Sequence, residues 1–268
     1  MHLVVCIKQV LDPEQPPSEF RLDPSGQKAA PGSAGQVISI FDENAIEVAL
    51  QVREKEGQGK ITAISLGGPA ASDGLRKALS LRVDESILIR EEDFPALDTW
   101  GTARVLAAAI RKLGPPADLV LCGRESADWH GGTVAAFLAA ELGYPYAAFV
   151  AGVTCVNGKF QFRRQSDDGW ETIEMSRPAI ISVTNDDQNL PRLPKVKDNM
   201  LAFRKQIPVW TAQSLGVIPA EVCGPNAALE SVKLYIPVTD RSCEMISGDT
   251  VQEKAAQFVR RLVEIGVI

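Results

Sequence analysis

Four short apolar runs, at residues 3–10, 61–66, 85–89 and 119–122, are each followed along the chain by an amphipathic helical pattern, at 43–56, 71–80, 99–113 and 134–142. This repeated strand–helix order constrains the fold more than any other feature. It is satisfied by parallel strands joined through crossover helices, in which every strand is covered on both faces. The patterns agree in detail. Residues 3–10, LVVCIKQV, are largely apolar with Lys8 as the one charge, while Ala45, Val48, Ala49 and Val52 form a stripe along the first helix and Leu75, Ala78 and Leu79 along the second. Gly57 and Gly59 stop the first helix, and Gly67, Gly68 and Pro69 turn the chain out of the second strand. Ser39 or Asp42 is placed to cap the first helix. Residues 12–38 lose periodicity and gather Pro, Gly and Ser, with a short hairpin strand predicted at 20–22. A loop of that length inside a compact fold is usually functional or held by a partner.

The pattern changes after Pro145. Residues 147–156, 159–164 and 171–175 read as short strands joined by turns at Asn157-Gly158 and Asp167-Asp168-Gly169, expected as antiparallel additions to the sheet, and 179–184 resumes the buried-strand pattern. Residues 191–208 carry Arg192, Lys195, Lys197, Arg204 and Lys205 among apolar residues, and 208–222 forms a second proline-bounded excursion. A further strand is predicted at 232–236 and an amphipathic helix at 250–265. The expected fold is α/β: a doubly wound, mostly parallel sheet with additional antiparallel strands and a partner-wrapping C-terminal segment. Residues 1–190 would be a nucleotide-binding domain and 191–268 a partner-contacting extension.

Charge and composition exclude some functions. With 28 basic against 34 acidic residues the formal net charge is -6, which argues against a nucleic-acid or anionic-membrane surface. The five cysteines, Cys6, Cys122, Cys155, Cys223 and Cys243, are scattered without a CxxC pair, as in a reducing compartment. Two histidines and no cysteine cluster leave little for zinc. The first residues read as a strand and not as a signal peptide, and no apolar run is long enough to span a bilayer, so a cytoplasmic protein without direct membrane insertion is expected.

The chemistry-bearing stretch is 118–145, DLVLCGRESADWHGGTVAAFLAAELGYP. Its strand ends in Gly123, its helix begins after Thr133, and the loop between them holds Arg124, Asp128, Gly131 and Gly132. Strand, loop and helix in this order let backbone N–H groups meet a phosphate, and glycines admit the close approach. The spacing is neither the dinucleotide fingerprint nor a P-loop, so on pattern alone a nucleotide site and a plain tight turn both remain open. His130 would be a base only for a distant nucleophile, no GxSxG elbow is present, and Asp167 with Asp168 suits a turn better than a metal. No catalytic residue is assigned.

The combination of LVVCIKQV at 3–10, FDENAIEVAL at 41–50, LGGPAASDGLRKALSLRVD at 66–84, LCGRESAD at 121–128 and RRQSDDGWETIEMSRPAIISV at 163–183 resembles the beta subunit of electron-transferring flavoproteins over almost the whole chain. That resemblance implies a heterodimer with an alpha subunit carrying a mobile FAD, a client dehydrogenase, and transfer of electrons between them. It implies that Cys6, Ser39 and Leu66 line a nucleotide pocket whose main cradle runs from Gly123 through Thr133. One branch of the family holds AMP there; a bifurcating branch holds a second FAD and accepts electrons from NADH. DTWGTARVLAAAIRKLG at 98–114, PRLP at 191–194 and the tail through Trp210 resemble the bifurcating branch, so FAD is expected with AMP as the alternative. WHGGTVAA after Asp128, NAA at 226–228 and LRVD at 81–84 depart from it. Residues 188–200 match a client-recognition loop, with Val196 as apolar anchor and Arg192, Lys195 and Lys197 steering an acidic surface. The rival class is a nucleotide-dependent small-molecule transferase.

Overall fold

The computed structural model describes residues 1–26, 28–30, 35–237 and 243–268. The chain forms two compact units, Met1–Leu234 and Tyr235–Ile268. In the first unit, β1 (His2–Cys6) is followed by β2 (Gln9–Leu11), a small hairpin of β3 (Arg21–Leu22) and β4 (Ala29–Ala30), and β5 (Gln36–Ile38). There follow α1 (Ile40–Glu56), β6 (Lys60–Gly67), α2 (Ala71–Ser80), β7 (Glu85–Arg90), α3 (Thr99–Lys112), β8 (Leu119–Gly123) and α4 (Val134–Leu142). The rest of the unit adds β9 (Tyr146–Val156), β10 (Lys159–Ser166), β11 (Gly169–Met175), β12 (Ala179–Val183), α5 (Val196–Arg204), β13 (Val209–Trp210) and α6 (Ala212–Leu215). The second unit contains α7 (Val251–Glu264), an amphipathic helix that buries none of its side chains and leaves Phe258, Val259 and Val263 exposed. None of the described helices is long and apolar enough to cross a membrane.

The main sheet has nine strands in the order β11-β10-β9-β12-β8-β1-β6-β7-β13. All pairings from β9 to β13 across this order are parallel, and β10 and β11 add antiparallel to the β9 edge. Alternation along β1 sends Leu3 and Val5 into a core shared with α1 and α2, and Val4 and Cys6 into a second core shared with α3 and α4. The sheet is therefore wound on both faces, with its apolar strands buried as their sequences required. From β1 the chain steps to β6 and β7 on one side, then returns through α3 to β8 on the other. This reversal puts the topological switch point between the C-terminal ends of β1 and β8, where open α/β sheets form their ligand crevices.

Several sequence expectations are corrected. Residues 3–10 are two strands, because the N–H of Lys8 is taken by the Asp42 carboxylate and its carbonyl by the Ser39 N–H, so the chain leaves the main sheet and pairs β2 with β5. The first of the three strands after Pro145, β9, is parallel to β12 rather than antiparallel. The segment after Pro194 is helical as α5, and its Arg76 contacts to the carbonyls of Ala202 and Lys205 dock its C-terminal end on α2. Residues 232–236 make no strand. Val232 and Tyr235, which strand alternation would set on opposite faces, are both exposed, so burial favours no face there. Strand β13 adds to the main sheet by parallel pairing with β7.

Candidate functional site

The crevice at the switch point is built on one buried carboxylate. Asp42 lies in the first turn of α1, yet it caps nothing there: its Oδ2 accepts from the N–H of Lys8 at 2.8 Å and its Oδ1 from the N–H of Gly123 at 2.9 Å. It thus ties the end of β1 to the end of β8. Ser39 holds the N-cap position but also spends its hydroxyl elsewhere, accepting from the N–H of Ala127 at 3.2 Å in the loop after β8. Gly123 is required by this arrangement. A Cβ there would lie 2.4 Å from Asp42 Oδ1 and 2.8 Å from Phe41 Cβ, closer than real atoms approach.

Burial pushes the Asp42 carboxyl up from 3.8 to about 7, against the lowering effect of the Lys8 and Gly123 N–H groups. Between those two values the folded chain holds a proton that the unfolded chain has released. The Asp42 contribution to stability is therefore greatest below the unfolded pKa and falls as pH rises through about 7, by a total on the order of 4 kcal/mol. Urea midpoints should show this. Asp42→Asn is expected to flatten the pH dependence of stability between acid and neutral pH, whereas an unchanged slope would rule out titration of Asp42 in that window.

Above this floor, Lys8 Nζ meets the Asp128 carboxylate at 2.7 Å. Burial raises the Asp128 carboxyl, but the Lys8 pairing and the hydrogen bonds of Ser126 and the Trp129 N–H outweigh it and hold the group below its usual range. Arg124 lies with its guanidinium 4.4 Å from the centre of the Phe41 ring and pairs with Glu125 at 3.0 Å. Beyond Asp128 the loop is exposed, with Trp129 more than half open to solvent, and turns through left-handed backbone at His130 and Gly132. It enters α4 without a side-chain cap at Thr133 and without an acidic residue in the first turn. The first-turn N–H groups of α4 are thus presented beside Gly131 and Gly132, the charge distribution that favours an anion. Thr99 Oγ1, buried and without a hydrogen-bond partner, belongs to a side chain whose methyl would stand 3.7 Å from a Cβ at Gly131. An uncapped helix start preceded by two glycines fits a phosphate-bearing ligand such as a nucleotide.

Of the residues expected from sequence, Cys6, Gly123, Arg124, Asp128, Gly131, Gly132 and Thr133 sit at the C-terminal ends of β1 and β8 or in the loop that follows β8, Ser39 stands between β5 and α1 with its hydroxyl on that loop, and Leu66 is half-buried near the end of β6 beside β1. Cys6 and Cys122 are buried neighbours, and hydrogen bonding to Cys6 together with burial pushes the Cys122 thiol well up, so that thiol is a poor nucleophile. His130 is exposed, 3.6 Å from Glu125. Asp167 and Asp168 stand in the hairpin turn between β10 and β11. Asp42, Phe41 and Lys8 were not legible as site residues. The one signal for Asp42 was an acidic residue at the start of a helix following a strand that ends in the same crevice.

A family model described as the electron transfer flavoprotein domain matches residues 30–215. The chain is 32% identical, over the full length of both, to the caffeyl-CoA reductase-Etf complex subunit CarD of Acetobacterium woodii. It is 33% identical to the electron transfer flavoprotein subunit beta of Thermoanaerobacterium thermosaccharolyticum, covering 98% of each chain. The corresponding subunit of Mycobacterium tuberculosis is 35% identical over 84% of this chain and 85% of its own. The chain belongs to the electron transfer flavoprotein beta-subunit family.

In this electron transfer flavoprotein subunit, the segment 188–200 is held against α1 by Gln188, Asn189 and Arg192 and against α2 through α5. Arg192 is held by two glutamates of α1: Nε and Nη2 reach Glu47 at 2.8 Å each, and Nη1 pairs with Glu54. Lys195, Val196 and Lys197 are exposed. Leu193 is 91% exposed and the most open large apolar side chain of the segment. With Val196, Met200 and Phe203 it makes a run of uncovered apolar groups larger than scattered surface residues would give.

Proposed function

We propose that this chain is the beta subunit of an electron-transferring heterodimer, that its crevice holds the adenylate end of FAD, and that its 188–200 segment docks a client dehydrogenase. The observation that carries the nucleotide reading is the uncapped start of α4 beside Gly131 and Gly132 at the switch point. Backbone N–H groups of that turn would hold the phosphates, and Gly131 and Gly132 would admit them. Asp42 and Ser39 would keep the two strand ends and the loop in register, as they do through backbone contacts. The flavin, when bound, supplies one- and two-electron chemistry; the chain contributes position, electrostatics and exclusion of water.

The preference for FAD over AMP rests on residues 98–114 and 191–194. The full-length likeness to a subunit of a caffeyl-CoA reductase-Etf complex supports a CoA-ester oxidoreductase as client; an NADH-linked, bifurcating mode of electron delivery in the cytoplasm would go with the FAD reading. The apolar face of α7 and the extension 191–268 would lie against the alpha subunit.

Co-expression with the alpha subunit followed by native mass measurement should give a heterodimer that passes electrons from a reduced donor to an acceptor. A stable monomer that ignores the alpha subunit and turns over a small molecule alone would favour a transferase. Gly131→Val isolates the nucleotide contact, because among the described residues, its chain neighbours aside, only Thr99 Cγ2 lies within 4 Å of the added Cβ, at 3.7 Å. Nucleotide retention is expected to fall about tenfold or more, with the urea midpoint of the nucleotide-free protein unchanged. Full retention would place the phosphates elsewhere.

A further inference from the structure

The helix whose first turn locks the crevice also carries, on one face, a polar stripe that holds the docking segment. Asn44, Glu47, Gln51 and Glu54 succeed one another at turn spacing along α1. Asn44 Nδ2 donates to the Asn189 carbonyl at 3.0 Å, and Gln51 Nε2 donates to the Gln188 carbonyl at 2.7 Å and to Glu47 at 3.2 Å. Asn189 is fully buried, and its own amide donates to the carbonyls of Thr184 and Ala151, fixing the segment to the end of β12 and to β9. Glu47, also buried, then receives the planar fork of Arg192, whose backbone N–H reaches the same carboxylate at 3.3 Å. Hydrogen bonding to Glu47 and Glu54 pushes the Arg192 guanidinium further up, and the Arg192 bond holds Glu54 down. Leu193 follows immediately, pointing out of this anchorage with 91% exposure.

We propose that the Arg192–Glu47 fork is a positioning clip: Arg192 does not meet the client, and instead fixes the backbone from which Leu193 and Val196 reach it. The inference rests on the docking reading above and assigns Arg192 and Glu47 a role within it. A guanidinium already committed to two carboxylates has little left for a third, and a two-point fork sets orientation as well as distance, which a lysine could not reproduce.

The test uses the alpha-beta heterodimer with a purified acyl-CoA dehydrogenase, its acyl-CoA substrate as electron source and dichlorophenolindophenol as terminal dye, together with hydrogen exchange across 188–195. Arg192→Gln and Glu47→Gln are each expected to raise KM for the dehydrogenase about tenfold while leaving kcat and nucleotide content unchanged, and to speed exchange in the segment. The double variant should be no worse than either single, because both remove the same interaction. Arg192→Lys should behave like Arg192→Gln. An effect of Arg192→Gln without one of Glu47→Gln would make Arg192 a direct recognition charge and overturn the proposal, as would additive effects, unchanged KM, or a loss of kcat and nucleotide. If the wild-type heterodimer accepts no electrons from the dehydrogenase, the docking reading fails on its own. Unchanged exchange in Glu47→Gln would then overturn the clip itself.

Discussion

Gly123→Ala is expected to cost about 3 kcal/mol of stability and to abolish nucleotide retention. The added methyl group would lie 2.4 Å from Asp42 Oδ1, 2.8 Å from Phe41 Cβ and 2.9 Å from the Phe41 carbonyl carbon, and the last of these is backbone that cannot swing aside. Relief requires α1 to back away from β8. That movement separates Asp42 from the N–H groups of Gly123 and Lys8 and leaves a buried carboxylate without partners. Because Ser39 stands at the same helix end and holds the N–H of Ala127, the loop that leads to Gly131 would be released with it. Gly114→Ala is the matched control: nothing lies within 4 Å of its added Cβ, and its urea midpoint should stay at the wild-type value. A wild-type midpoint for Gly123→Ala would mean that Asp42 does not lock the strand ends.

The second large effect is expected at the docking segment. Truncating Leu193 to alanine should weaken electron transfer from an acyl-CoA dehydrogenase by raising KM about thirtyfold, the effect of removing an anchor worth about 2 kcal/mol. Val196→Ala should do the same more weakly, since its side chain is smaller and leads α5 from its first residue. Neither side chain is covered within the chain, so stability, nucleotide content and alpha-beta assembly should be unaffected. Loss of assembly with normal transfer would make the segment a strap over the alpha subunit instead.

How much of this was legible from sequence depends on whether the controlling contact was local. The parallel sheet was readable because burial on both faces forces continuous apolar runs, as in β6, β8 and β12. The break after Cys6 was not, since the apolar character continues through Ile7 and Val10 and the cause is a carboxylate more than thirty residues away in sequence. Asp42 could be read only as a helix cap, the commonest local role of an acid at that position, because its burial and its two partners are tertiary facts. The basic residues of 191–208 suggested a free positive surface. Arg192 was spoken for by glutamates of α1 whose facing could not be inferred from a stripe that also reads as solvated. Helix α5 was hidden by the two prolines before it, which favour extended backbone up to Pro194 and place no restriction after it.

The central claim is that the crevice between β1 and β8 holds a nucleotide and that the nucleotide is FAD. Denaturing the purified heterodimer, separating the released small molecules and quantifying them against protein tests it most directly, since FAD and AMP would share the same phosphate contacts and differ only in identity. Two FAD per heterodimer, one of them lost in Gly131→Val, is the predicted result; one FAD with one AMP, or a second nucleotide that Gly131→Val leaves in place, would contradict it.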